Sequence, residues 1–220
     1  AAVPDAVASA AAGADTAAPS IEDLAPGAEA LAAKQVTPLM LSCRHGDEAA
    51  VEALLEANAP IDAQSANGCT ALSFAAEAGN AGAVALMLRR GANVNAKSAK
   101  AVSPLMLACR YGEDSIVGLL LEAKAEVNAG VEEGLQTALH TAAGNGYADI
   151  MRMLIEGGAI VDAPRVSTGH TPLLLAANAG FEEATQVLIE AKANVEVETK
   201  KRKSTPLLLA ARANHPGALR

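Results

Sequence analysis

This chain of 220 residues has no Trp, 2% aromatic residues and a formal net charge of −8, which argues against nucleic acid or an anionic membrane as its main partner. It has too few aromatic rings for an aromatic-lined ligand pocket or a base-stacking surface, and no apolar run approaches the roughly 18 residues of a membrane-spanning helix. The 51% apolar content is dominated by Ala, which suits helices packed closely through small side chains. We therefore expect neither nucleic-acid binding nor direct membrane insertion.

The N-terminal part differs from the rest of the chain. Residues 1–19 are Ala-rich, contain two Pro and show no bulky apolar pattern, so we expect a disordered tail or linker. Two Asp and no Arg make this stretch unlike a transit peptide, and without an initiator Met we expect a processed chain or a piece of a longer polypeptide. Residues 20–36 begin with a capping pattern at Ser20 and Asp23, and predict a degenerate N-terminal capping segment.

From residue 37 onward the sequence repeats a helix-turn-helix pattern. Its helix-capping residues are Thr37, Thr70, Ser103, Thr137, Thr171 and Thr205. They lie 33, 33, 34, 34 and 34 residues apart, and a Leu follows each by two places. A Gly lies nine places on in the first five units, and an aliphatic pair lies seventeen and eighteen places on. Each predicted helix is too short to be stable alone, so the units must stack on one another.

The start and the stop of these units resemble those of the ankyrin-repeat family. Four units continue with Pro at the first helical position, and residues 91–95 and 158–162 match the family's Gly-Ala-x-Val-Asn ending. The resemblance covers residues 37–220, with repeats starting at 37, 70, 103, 137, 171 and 205 and the last one incomplete. It implies an all-α fold, an ankyrin-repeat solenoid of helix-turn-helix repeats with β-turn fingers between them.

Several positions depart from the family pattern. Lys124 and Lys192 stand where a left-handed Gly is expected, at a cost of about 1–2 kcal/mol each. Lys203 replaces the Gly expected near a fingertip, which predicts a finger unlike the usual hairpin. In the sixth repeat, residues 215–217 open a second helix that the sequence does not complete. An array ending there would expose an apolar face, so we expect the natural polypeptide to continue beyond Arg220, or a partner to cover this end.

The three Cys residues fit core positions. Cys43 and Cys109 fall at the same place in repeats one and three, where other repeats have Ala, and two repeats of separation exclude a disulfide between them. Cys69 lies directly before a capping residue. Small core-filling thiols indicate a reducing compartment, the cytoplasm or another intracellular one, with an organelle or the nucleus left open.

The sequence lacks the motifs of metal, nucleotide and hydrolase sites. Its four His residues are spread over different repeats, and the resemblance accounts for His140, which in this family ties neighbouring turns through its ring nitrogens. We therefore expect no catalysis, no metal site and no cofactor.

The resemblance also implies where binding would occur. In ankyrin repeats, the ends of the first helices and the fingers line a concave groove that holds partner proteins. The groove and finger residues that carry over to this chain are Arg44, His45, Glu77, Lys97, Lys100, Arg110, Tyr111, Asn145, Asn178, Lys200, Lys201, Arg202 and Arg212. Acidic residues fall mainly on the second helices, so we expect an acidic back and a basic front. Arg110 and Tyr111 are the best candidate anchors, because Arg and Tyr are enriched at binding hot spots.

Three interpretations of the basic run at residues 200–203 stay open: a solvated finger, a contact with an acidic partner, and a nuclear-import signal. For the whole chain, the leading hypothesis is a non-catalytic protein–protein interaction scaffold that binds a partner polypeptide through the groove and fingers. A partner with an acidic segment is one candidate. The alternatives are a targeting or regulatory module of a longer enzyme, channel or ligase adaptor, and a structural subunit of a large assembly.

Overall fold

The computed structural model describes residues 35–130 and 136–214. The predicted tail at 1–19, nearly all of the predicted capping segment at 20–36, part of one finger at 131–135 and the turn at 215–217 lie outside the described residues. Within them the chain forms eleven α-helices and no strand. The helices are α1 Pro38–His45, α2 Glu48–Glu56, α3 Ala71–Glu77, α4 Ala81–Arg89, α5 Pro104–Tyr111, α6 Asp114–Glu122, α7 Ala138–Asn145, α8 Ala148–Glu156, α9 Pro172–Ala179, α10 Glu182–Glu190 and α11 Pro206–Arg212.

Each odd-numbered helix, the first helix of its repeat, begins at a side-chain cap. At all six predicted positions the hydroxyl of a Thr or Ser accepts a hydrogen bond from the backbone N–H three residues later. Pro follows the cap in α1, α5, α9 and α11, where its missing N–H costs nothing because first-turn donors have no partner inside the helix. The predicted repeat starts are therefore the observed helix starts.

The helices form two layers. First helices pack side by side in chain order, second helices do the same, and in repeats one to five the first helix also packs on the second helix of its own repeat. The Leu two places after the cap is at most 2% exposed in the first five repeats, and this places the core between the layers. In the sixth repeat the equivalent Leu207 is 61% exposed, because no described repeat packs beyond α11.

The position of the first helices that holds either Cys or Ala is buried wherever a following repeat is described. Cys43, Cys109 and the equivalent Ala of repeats two, four and five are at most 1% exposed, as predicted. The expectation was wrong for Ala211, which is exposed at the open side of α11. Burial raises the pKa of the Cys43 thiol to about 11 and raises the pKa of Cys109 as well. Both residues therefore stay as neutral thiols that fill the core.

A ladder of side-chain bonds joins the ends of successive repeats. Its acceptors are Asp62, Asn95, Asn128 and Asp162, and its donors are the backbone N–H groups of Asn93, Glu126, Ile160 and Asn194, at 2.8–3.0 Å. Asn128 adds a bond from its amide to the carbonyl of Gly158, at 2.9 Å. In the fifth repeat the longer Glu196 takes this position, and its carboxylate makes no hydrogen bond among the described residues.

The fingers explain why the repeat length changes from 33 to 34 residues. In the fingers at 65–69 and 98–102, the N–H of the first residue bonds to the carbonyl four residues on. In the fingers at 165–170 and 199–204 it bonds to the carbonyl five residues on, so each of these holds one extra residue. Lys203 has φ +50° and Gly169 has φ +71° at the same position. The finger at 199–204 therefore keeps the turn of its neighbour, and the predicted departure was wrong.

Left-handed residues follow the second helices, including the two Lys. Gly91 and Gly158 have φ of +85° and +88°, whereas Lys124 and Lys192 have φ of +64° and +62°. Because a Cβ crowds the backbone in this region, we expect Lys124→Gly to stabilise the protein by about 1 kcal/mol and to raise its Tm by about 2–4 °C in calorimetry. The reciprocal change, Gly158→Lys, should lower the Tm, and equal melting of both variants and the wild type would contradict this account.

The side-chain ladder yields a second expectation for stability. Asn128→Ala removes two bonds between repeats and leaves their backbone partners without that amide, so we expect urea unfolding to show a loss of about 1–3 kcal/mol. The matched control is Glu196→Ala, at the equivalent position of the fifth repeat, where the ladder ends. We expect it to change the free energy of unfolding by no more than about 0.5 kcal/mol. Equal effects of the two substitutions would show that the ladder contributes little.

Candidate functional site

The first helices end on one face of the array. The last two predicted helix-end positions of every repeat are exposed, and they are Arg44-His45, Glu77-Ala78, Arg110-Tyr111, Gly144-Asn145, Asn178-Ala179 and Arg212-Ala213. The fingers at 165–170 and 199–204 lie on the same side, since their residues line one cavity together with the ends of α9 and α11. We call the helix ends and the fingers together the front face. The second helices form the opposite side, the back.

Side-chain bonds between repeats fix the helix ends of the front face. The Asn80 amide donates to the carbonyls of Cys43 and Arg44, at 2.9 and 2.7 Å. The Asn145 amide donates to the carbonyl of Arg110 at 3.2 Å. These bonds hold the backbone of one repeat against the next. The Arg44 and Arg110 side chains remain exposed on a positioned backbone.

The middle of the front face carries an aromatic side chain between charges. Tyr111 is 46% exposed, and its hydroxyl donates to the carboxylate of Glu77 in the preceding repeat at 3.3 Å. Arg110 is its exposed neighbour on the same helix end. The structure thus brings together three of the predicted residues, Glu77, Arg110 and Tyr111, and leaves Arg44 and His45 at the first repeat.

The predicted finger cations have different surroundings. Lys100 is exposed, whereas the Lys97 ammonium lies 3.6 Å from the carboxylate of Glu126 in the next repeat. Lys200 is tied to the neighbouring finger, where its ammonium donates to the carbonyl of Val166 and its backbone N–H donates to the carbonyl of Thr168 at 3.1 Å. Lys97 and Lys200 are therefore held by intramolecular bonds.

A cavity of about 460 Å³ lies at the C-terminal end of the front face. Its walls are the fingers at 165–170 and 199–204 and the ends of α9 and α11. Four predicted residues line it, and they are Asn178, Lys201, Arg202 and Arg212. Sequence reasoning missed the hydroxyls of Thr168, Thr199 and Ser204 in the same lining. A signal was present, because Ser65 and Ser98 occupy the position of Thr199 in earlier fingers and close them in the same way.

The charges of the back and the front are balanced differently. All six predicted acidic residues of the second helices and their ends are exposed, as expected for the back, and they are Glu48, Glu52, Glu56, Glu122, Glu156 and Glu190. On this side Arg90 pairs with Glu52 at 2.9 Å, and Arg152 pairs with two carboxylates, whereas the exposed Arg89 has no ion pair among the described residues. Among the described residues, no carboxylate lies within 4 Å of the charged groups of the front-face cations Arg44, Arg110, Lys201, Arg202 and Arg212.

A buried His supports one of the two fingers that line the cavity. His140 is 0% exposed, with its Nδ1 2.8 Å from the Thr137 hydroxyl and its Nε2 3.1 Å from the carbonyl oxygen of His170. These two partners indicate that the imidazole ring is neutral and that its Nε2 donates the hydrogen bond to the carbonyl of His170. Burial is the main cause that lowers its pKa to about 4. The predicted role of His140, tying neighbouring turns, is confirmed.

In the part of the chain that the structure describes, no three His, Cys, Asp or Glu side chains come together in a way that could hold a metal ion. Likewise, none of the eleven helices has the length and apolar character needed to cross a membrane.

Comparisons with known proteins agree with this architecture. The family model for three copies of the ankyrin repeat matches residues 9–98 and 96–165, and the single-repeat model matches residues 168–200. The chain belongs to the ankyrin-repeat family. The crystal structure of the human ASB11 ankyrin repeat domain is similar to this ankyrin array, with a TM-score of 0.74 and 25% sequence identity over 83% of this chain and 80% of that chain. A search of the curated proteins finds no match.

Membership of the family confirms the predicted fold and gives the function in general terms. Ankyrin repeats are protein–protein interaction modules, and their fold is typically non-catalytic.

The buried His140 makes the stability of the ankyrin array depend on pH. Its folded pKa of about 4 lies below the ordinary value of 6.5, so between these pH values the unfolded chain binds a proton that the folded chain does not. Stability should therefore fall as the pH drops through this window, by up to about 3 kcal/mol from this group. Met occupies the position equivalent to His140 in repeats one and three, so the side chain of His140→Met should fit the core. Denaturant unfolding of both proteins from pH 7 to pH 4 measures the difference, and parallel profiles would contradict it.

Proposed function

We propose that this ankyrin array is a non-catalytic scaffold that binds a segment of another polypeptide along its front face. The observation that carries the proposal is a set of five exposed front-face cations, Arg44, Arg110, Lys201, Arg202 and Arg212, that have no ion pair among the described residues. An unpaired exposed Arg keeps its donors available to a partner, whereas a paired one must first lose its intramolecular bond. A partner with an acidic segment would suit this face.

Arg110 and Tyr111 are the proposed central anchors. Both are exposed, both stand on the end of α5 near the middle of the array, and the Asn145 bond positions their backbone. Tyr brings a large apolar surface at a small cost in conformational entropy, and Arg brings a planar donor group. The Tyr111 bond to Glu77 is long, at 3.3 Å, so exchanging it for a partner acceptor costs little.

We also place the protein in a reducing intracellular compartment. The support is its three Cys residues, which are all free thiols, two of them buried in the core.

The proposal is tested with the double variant Arg110→Glu and Tyr111→Ala. Truncating or reversing hot-spot residues costs about 2 kcal/mol or more each, so a front-face partner should lose at least tenfold in recovery. The measurement is a quantitative pull-down from cell extract with wild-type and variant arrays, after circular dichroism has shown that both are folded.

Arg89→Glu is the matched control, because it reverses an exposed Arg on the second-helix layer. We expect it to retain the partners that the double variant loses. Recovery of every partner by the double variant at wild-type levels would refute binding through the middle of the front face.

A further inference from the structure

The cavity at the C-terminal end of the front face is lined by several hydrogen-bond donors, together with His170, Leu209 and Ala213. Lys201 and Arg202 reach it from one finger, and Arg212 reaches it from α11. The Asn178 amide adds two N–H donors from α9. No Asp or Glu is among the described residues that line the cavity. In a chain with a net charge of −8, three cations around one cavity without a carboxylate indicate an anion-binding site.

The hydroxyls of the lining are oriented by the fingers. The Thr199 Oγ1 accepts a bond from the N–H of Ser204 at 3.1 Å, and the Thr168 Oγ1 accepts one from the N–H of His170 at 3.3 Å. Neither hydroxyl donates a hydrogen bond among the described residues, so each hydroxyl hydrogen is available for a ligand acceptor. These groups therefore add neutral donors beside the three charged ones.

The cavity cations differ from the other cations of the same finger. Lys200 donates to the carbonyl of Val166, and Lys203 lies 3.7 Å from the carboxylate of Glu198. Lys201 and Arg202 have no such partner among the described residues. The cross-finger bond from the Lys200 N–H to the Thr168 carbonyl, at 3.1 Å, also joins the two walls of the cavity. The two outer cations stabilise the finger, and the two inner ones face the cavity.

We propose that this cavity binds a phosphorylated Ser or Thr side chain of an extended partner peptide. This deepens the proposed function, on which it rests, by naming the chemistry recognised at one end of the front face. A phosphomonoester carries a charge of about −2 at neutral pH and three acceptor oxygens. A single carboxylate has half that charge and two oxygens, too few for three cations and several neutral donors. Arg binds phosphate well because its planar fork makes two parallel bonds.

The test uses peptide arrays with randomised flanks and one fixed central residue. Arrays centred on phosphoserine and phosphothreonine are compared with arrays centred on Ser, Thr and Glu, and the strongest sequences are measured in solution by fluorescence anisotropy. We expect phosphorylated members to bind at least about tenfold more tightly than their unmodified counterparts. The double variant Arg202→Gln and Arg212→Gln should lose this preference.

Lys203→Gln is the matched control for that variant. It removes a positive charge from the same finger without changing the cavity lining, and Gln35 already occupies the equivalent left-handed position in another finger with φ +53°. We expect this control to keep the preference for phosphorylated peptides. An equal loss in the control and in the double variant would mean that general positive charge, not the cavity, governs binding, and would overturn the assignment.

The remaining outcomes separate this inference from the proposed function. Equal binding of Glu-centred and phosphorylated peptides would replace phosphate by carboxylate and overturn the inference. Binding to vesicles that contain a phosphoinositide, without binding to any phosphopeptide, would overturn it as well. If no phosphorylated preference is found but the Arg110 and Tyr111 variant still loses its partners, only the phosphate assignment fails. If the phosphorylated preference is found while that variant keeps every partner, the central anchors fail and the cavity stands.

Discussion

The contact between one repeat and the next is the interaction on which the whole structure depends. The helices have seven to nine residues, too few to be stable in water by themselves, and each buries its apolar face only when a neighbouring repeat covers it. Leu139 and Leu154, for example, are at most 1% exposed between the layers. The side-chain ladder from Asp62 to Asp162 adds polar bonds across the same boundaries. Stability is therefore close to a sum of nearest-neighbour terms along the array.

The same coupling positions the front face. The side chains that would meet a partner stand on helix ends whose backbone is bonded to the following repeat, as Arg110 is to Asn145. Fingers are joined in a similar way, through the Lys200 bond to Thr168 and through the His140 bond under His170. A change within one repeat can therefore move the binding residues of its neighbour. The same bonds hold the repeats together and position the side chains that would meet a partner. The exposed side chains themselves contribute little to the packing.

The periodic part of the fold could be predicted from the sequence because it depends on local rules. A capping hydroxyl, a Pro at the first helical position and a left-handed stop each act within a few residues, so the six helix starts and the strained Lys124 and Lys192 follow from spacing. The unusual finger predicted at Lys203 was wrong because a left-handed turn tolerates a Lys at a modest cost. The cavity could not be predicted, because its walls come from two fingers and two helices that are distant in sequence.

The basic run at residues 200–203 shows why side-chain roles cannot be assigned from charge alone. In sequence it is one block of four cations, equally suited to a solvated finger, an acidic contact or an import signal. In the structure Lys200 donates to the carbonyl of Val166, Lys203 forms an ion pair with Glu198, and the two inner cations line the cavity. The negative net charge of the chain does not cancel the positive field of the cations that line the cavity. The axes of packed helices lie about 8–10 Å apart, comparable with the screening length of about 8 Å at physiological salt, so the exposed carboxylates of the back are partly screened from the front cations. At the proposed site, recognition at contact range would depend on the few unpaired donors of the cavity, while the net charge of −8 would act mainly on the approach of a partner.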